Sequence, residues 1–140
     1  MTSRGDTDQE RASKSPAFRV VTLAQQAAEP TSAFASARSL LPDDILRDNF
    51  SLIARDGDLP QRLAAGYTVV YPGCRTRGHE HADREEVYYF IAGDGSMMIG
   101  GERTEVHAGS AVYVSPGPFH SVHCDGNVPL TFLWVTALVT

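Results

Sequence analysis

Three histidines and one glutamate, His79, His81, Glu86 and His120, are the residues whose types and spacing could do chemistry. His79 and His81 are separated by one residue, so on an extended strand both imidazoles point to the same face. Two imidazoles on one face can share one ion. The turn Ala82-Asp83-Arg84 then leads into a second strand, on which Glu86 returns to that face together with Tyr88 and Phe90. His120 follows Pro116-Gly117-Pro118-Phe119, a rigid turn suited to bring a third imidazole in from a hairpin distant in sequence. Imidazole and carboxylate donors suit iron, manganese, nickel, copper or zinc. Three His and one Glu leave two positions of a six-coordinate ion open, which separates a catalytic site from a closed structural one. A lone His-x-His would be read as an exposed loop pair; Glu86 and His120 in register with it change that reading.

With these spacings the chain resembles the cupin superfamily. The first cupin motif runs Gly, five residues, His-x-His, three or four residues, Glu, six residues, Gly; Gly73, His79, His81, Glu86 and Gly93 match it. In the second, Gly109, Gly117 and His120 match, while Ser115 stands where Pro is usual and Cys124 where Asn is usual. The resemblance covers roughly Gly66 to the C-terminus. It implies an all-β, double-stranded β-helix (jelly-roll) barrel in which His79, His81, Glu86 and His120 ligate one divalent transition metal. Fe(II) is favoured, with Mn, Ni, Zn or Cu as alternatives. Glu85 rivals Glu86, because the motif tolerates either gap, and the distance to Gly93 favours Glu86. The family resemblance further implies a metal-dependent enzyme acting on a small organic molecule, either an oxygenase or an isomerase/cyclase-type tailoring enzyme, working as a homodimer. The alternatives are a non-catalytic cupin that binds a sugar or acid, and a metal that serves stability.

Around these ligands, Tyr88 is the candidate acid or substrate hydrogen-bond donor, with filling of the barrel as the equal alternative. Glu86 is the other candidate catalytic group. Phe90, Cys124 and Trp134 are pocket candidates, although a free cysteine behaves more often as a small buried hydrophobe. Phe119 is expected in core or pocket wall. His107 and His123 have the wrong spacing to face inward and are expected to be exposed. No role is evident for Cys74.

The elements that must position these groups are short apolar runs punctuated by turn residues, the pattern of a sandwich or barrel. From Asn49 onward they read FSLIAR, AGYTVVYP, EEVYYFIAG, GSMMIG, TEVHAG, SAVYVSP, HSVHC and LTFLWVTALV. Gly100-Gly101 is a two-residue hairpin signal. Before the barrel, FRVVTL from Phe18 reads as an arm strand, and Pro42-Asp43 as the start of one short helix. Residues 1–16 are polar and expected to be a disordered tail, leaving 17–140 as one domain with its barrel core at about 50–140.

Composition narrows the function. A net charge of -5 with 12 Lys+Arg, none in a run, gives no footprint for a nucleic-acid backbone. The longest apolar stretch, Val128 to Val139, is broken by Pro129 and is too short to span a membrane as a helix, which takes about 20 residues. Two cysteines are too few for a disulfide scaffold, and the N-terminus has no apolar signal core, so a reduced, cytoplasmic setting is expected.

Overall fold

A computed structural model describes residues 18–56 and 60–139; the expected tail, 1–16, lies outside them. Eight strands follow one another: β1 (Arg47–Ile53), β2 (Leu63–Val70), β3 (Arg84–Ala92), β4 (Asp94–Ile99), β5 (Glu102–His107), β6 (Ala111–Val114), β7 (His120–Cys124) and β8 (Leu130–Leu138). They form two antiparallel sheets, ordered β1-β2-β8-β3-β6 and β5-β4-β7, which face each other as a jelly roll. Each of the eight apolar runs read from the sequence holds one strand. Gly100 and Gly101 take φ of 58° and 85° between β4 and β5, as a tight hairpin requires.

Period-two alternation fixes what faces inward. On β3, Glu86, Tyr88 and Phe90 are buried while Val87 and Tyr89 are exposed. On β2, Ala64, Gly66, Thr68 and Val70 turn inward. The larger sheet contributes Val70, Tyr88, Phe90, Val114, Leu130 and Phe132 to the core, and the smaller contributes Met97, Val106, Val122 and Cys124. Phe90 and Phe132 pack with ring centroids 5.2 Å apart and planes tilted by 45°. Burying one such ring stabilises by roughly 1.5–3 kcal/mol. One end of the interior is thus filled with hydrocarbon, and the polar inward residues Thr68, Glu86 and Thr136 gather toward the other.

The arm departs from expectation. FRVVTL forms no strand: Phe18 and Val20 stand exposed, and Leu23–Gln25 is one 3-10 turn. A short β-branched run without a pairing partner has no ladder to hold it. The expected helix at Pro42 is absent as well. A 3-10 turn over Arg38–Leu40 ends just before it, Ile45 N–H closes a turn onto Pro42 C=O, and β1 begins at Arg47. The arm is held by polar contacts instead. Arg47, 6% exposed, donates to Thr31 O and Thr31 Oγ1 and pairs with Glu29 at 3.4 Å.

Candidate metal centre

Glu86 and Tyr88 reach the interior because β3 alternates, and His120 reaches it as the first residue of β7. The sequence placed His79 and His81 on a strand; the structure corrects this. His79 forms an isolated bridge with His120, each N–H donating to the other's carbonyl at 3.0 and 2.9 Å. His81 lies outside any strand, its carbonyl accepting from Gly117 N–H at 2.6 Å. Gly78 sets up this approach. Its φ is +79°, and a Cβ there would meet the Phe119 ring at 2.5 Å and His120 O at 3.0 Å. A side chain at 78 would therefore push apart the two segments carrying imidazoles.

The four groups converge. His79, His81 and His120 have ring centroids 4.3, 4.5 and 5.8 Å apart pairwise, and one donor atom from each of the four residues lies within 4.8 Å of the others. Glu86, 4% exposed, approaches His79 Nε2 at 3.6 Å, His81 Nε2 at 3.8 Å and His120 Nε2 at 2.5 Å. The last approach has the length of a charge-assisted hydrogen bond but lacks its direction, since the buried His120 Nε2 has no hydrogen-bond partner. Its other nitrogen, Nδ1, lies 3.0 Å from Pro118 O. A proton on Nδ1 leaves an Nε2 lone pair directed among the other donors, the tautomer a metal-bound imidazole uses. An otherwise costly orphan atom is thus explained by a cation among these donors, and the donor set fits a divalent transition metal.

Burial pushes the Glu86 carboxyl up, but the close approach and charge of the His120 and His79 imidazoles outweigh it and hold the pKa down at about 2. Burial likewise disfavours the His120 imidazolium, and Glu86 with the Pro118 carbonyl turns its net shift upward. His81 is shifted downward by burial and then by His79. Tyr88 donates to Glu86 Oε2 at 3.2 Å; burial first, then the Glu86 charge, raises its pKa well above the ordinary value. Its proton is held on the phenol, fixing the carboxylate.

The cluster opens into a cavity of about 460 Å³ lined also by Asn49, Thr68, Phe132, Trp134 and Thr136. Trp134 Nε1 donates to Thr68 Oγ1 at 3.1 Å and to Asn49 Oδ1 at 3.3 Å, and its ring lies over Gly66, where a Cβ would sit 1.9 Å from Cζ2. Two other pocket candidates fall elsewhere. Phe90 is fully buried in the core, and Cys124 is buried beside it with Sγ 3.2 Å from Val128 O; neither lines the cavity. Glu85 lies on the other face, accepting from Tyr113 O–H at 2.7 Å. Phe119 is half exposed over Gly78 rather than in core or pocket wall. His107 is exposed, but His123 is half-buried, its Nε2 3.0 Å from Ser121 Oγ, because the short three-stranded sheet is flanked there by the 73–76 segment. Sequence reasoning missed the arginines of the cavity wall, Arg47, Arg55, Arg77 and Arg84. Only Arg84, two residues before Glu86 on the same face of β3, carried a readable signal.

Residues 66–136 match the family model described as a cupin domain. The chain is a cupin. Among curated relatives, this cupin is 32% identical over 68 residues to an oxalate-binding protein of Thermotoga maritima, covering 49% of this chain and 56% of that one. It is 36% identical over 92 residues to a glucose-6-phosphate isomerase of Thermococcus onnurineus, covering 56% and 47%. The chain thus spans about half the length of these relatives. A solved structure from Thermotoga maritima, described as a predicted oxalate decarboxylase, matches with a TM-score of 0.67 at 20% identity, over 86% of this chain and 100% of that one. A cupin 2 domain-containing protein from Halorhodospira halophila matches at 0.58 and 22%, over 65% and 63%. At these identities the solved structures share the fold.

Proposed function

We propose that this cupin is a metal-dependent enzyme that binds a small organic molecule beside one divalent transition metal held by His79, His81, Glu86 and His120. The observation that carries the reading is the orphaned Nε2 of His120, buried among three other donors at the head of a cavity of small-molecule size. Fe(II) is the favoured ion, and when bound it supplies Lewis acidity and a template for chelation, with oxygen activation as the iron-specific option. The chain's own residues do the rest. Tyr88 fixes the Glu86 carboxylate, the Pro118 carbonyl fixes the His120 tautomer, and Phe132, Val122 and Trp134 exclude water from the inner wall. Oxygenase chemistry leads, and isomerase or cyclase chemistry follows; the isomerase option is supported by the glucose-6-phosphate isomerase relatives. A second reading, a binding protein without chemistry, is favoured by one observation: Tyr88 keeps its proton, leaving no free general base beside the ligands. The oxalate-binding relative agrees with it. No helix among the described residues is long and apolar enough to cross a membrane.

Elemental analysis of purified protein tests the metal. About one transition-metal ion per chain is expected, falling to about a tenth of that in His79→Ala/His120→Ala; no bound metal in either protein rejects the reading. Oxygen uptake with enediol or catechol substrates divides the chemistries, since an isomerase consumes none.

A further inference from the structure

We infer that the cavity is built for a small organic oxyanion, a carboxylate or phosphate ester, and that Arg55 and Arg84 select it by its negative charge. The chain carries a net charge of -5, yet its cavity is lined by four arginines, Arg47, Arg55, Arg77 and Arg84, and by only two carboxylates, Glu29 and Glu86, among the described residues. Two of these charges cancel within the wall: Arg47 pairs with Glu29, which also accepts from Asn49 and Thr31. Glu86 is committed to the three imidazoles. With Arg84 partly compensated by the exposed Asp83, Arg55 and Arg77 still leave the cavity wall with a positive excess, against the sign of the molecule as a whole. A cleft lined by one sign of charge concentrates ligands of the other.

The positions are specific. Arg55 Nη1 donates to Thr136 Oγ1 at 2.8 Å and to Arg62 O at 3.0 Å, and Thr136 on β8 is the register partner of Glu86 on β3. Arg84 precedes Glu86 by two residues on β3 and so shares its inward face. Both guanidinium groups thus stand on the wall that carries the carboxylate ligand. Arg84 shares its charge with the exposed Asp83 at 2.9 Å. Burial, and then the charge of Arg84, press the Arg55 pKa down, with Asp83 and Glu86 opposing, so two like charges stand within range of each other beside partly compensating carboxylates. An oxyanion between them would relieve that repulsion, and the planar forks suit carboxylate or phosphate oxygens. Ala64, Val122 and Phe132 offer apolar wall for a carbon skeleton. This assignment rests on the metal-site reading only for what the ligand's other end touches.

Trp134, the chain's single tryptophan, lines the cavity and reports binding by fluorescence, with calorimetry as the second readout. The probes are malonate, glycerol 3-phosphate and neutral glycerol, titrated into the protein as purified, into Arg55→Gln/Arg84→Gln, and into His79→Ala/His120→Ala. Saturable binding of malonate or glycerol 3-phosphate is expected, about tenfold or more tighter than to Arg55→Gln/Arg84→Gln, with none for glycerol; the tighter probe identifies carboxylate or phosphate. Arg55→Lys/Arg84→Lys keeps the charge, guards against misfolding of the Gln variant, and is expected to recover part of the affinity. Equal affinity in wild type and both arginine variants, or no saturable binding of either anion, overturns the inference. Arginine-dependent binding in a protein that holds no metal would sustain it while rejecting the metal enzyme. A metal-loaded protein indifferent to the arginines would do the reverse.

Discussion

His120 carries the most information per residue. Its Nδ1 is taken by Pro118 O, its Nε2 has no partner, and it is 2% exposed, so a cation or a proton must occupy the space it shares with Glu86. That competition gives the metal-free protein a pH signature. The Glu86 carboxyl, at about 2 in the fold against an ordinary 4.5, takes up its proton first when unfolded. Its contribution to stability is therefore complete above about pH 4.5 and is lost as pH falls toward 2. His120, shifted upward from 6.5, contributes fully below 6.5 and loses that contribution as pH rises past its folded value. Metal-free wild type is expected to exceed Glu86→Gln in stability by on the order of 1–3 kcal/mol near pH 5.5, the gap falling to about half or less by pH 3. Urea denaturation at the two pH values measures it, and an equal gap at both would contradict the assignment.

At the scale of elements, β3 and β7 carry Glu86 and His120, and the contact of β2 with β8 across Gly66 and Trp134 is a tight constraint on the cavity wall. These two residues are register partners, and the indole occupies the space a side chain at 66 would need. Gly66→Ala is expected to swing Trp134 away from Thr68 and Asn49, shift its emission, and cost roughly 1–3 kcal/mol through overpacking. Unchanged emission and an unchanged urea midpoint would show that the wall has slack. β3 shows how much of an element was legible. Alternation alone set Glu86, Tyr88 and Phe90 on one face, yet it could not tell that Tyr88 borders both the cluster and the core while Phe90 lies in the core alone, because both obey the same period. What separates them is β7, which faces Tyr88 with His120 and places Val122 and Cys124 in the core.

For the whole molecule, the outer face of the larger sheet remains to be covered. Leu63, Val87, Tyr89, Tyr113, Leu133 and Val135 are exposed on it, and the register places Val87 between Val135 and Tyr113, with Tyr89 opposite Leu133. A contiguous apolar surface of this kind marks an interaction site. We propose that it pairs with a second copy about a two-fold axis, where one self-complementary face suffices. Light scattering of the purified chain is expected to give the dimer mass, and Val87→Lys/Leu133→Lys the monomer mass; a monomeric wild type would reject the pairing. The FRVVTL segment, with Phe18 and Val20 exposed and Arg19 bound to Ala54 O and Asp56, takes no part in the sheets described.

The sequence by itself determined the number of strands, the family and the ligand types, because period-two alternation and turn residues act locally and the His-x-His spacing survives any detail of packing. It did not determine what sits behind the ligands. Phe90 and Cys124 lie in the core because the pairing of β3 with β6 and β8, and of β7 with β4, decides which neighbours each inward face meets. Arg47 and Arg55 come from segments before the matched region, Arg77 from the segment leading to His79, and Trp134 from the last strand. Only the closing of two sheets around one interior brings them to a common cavity. The arm erred for the same reason: FRVVTL and Pro42-Asp43 carry local strand and helix signals, and local propensity yields where no partner strand or packing face rewards it.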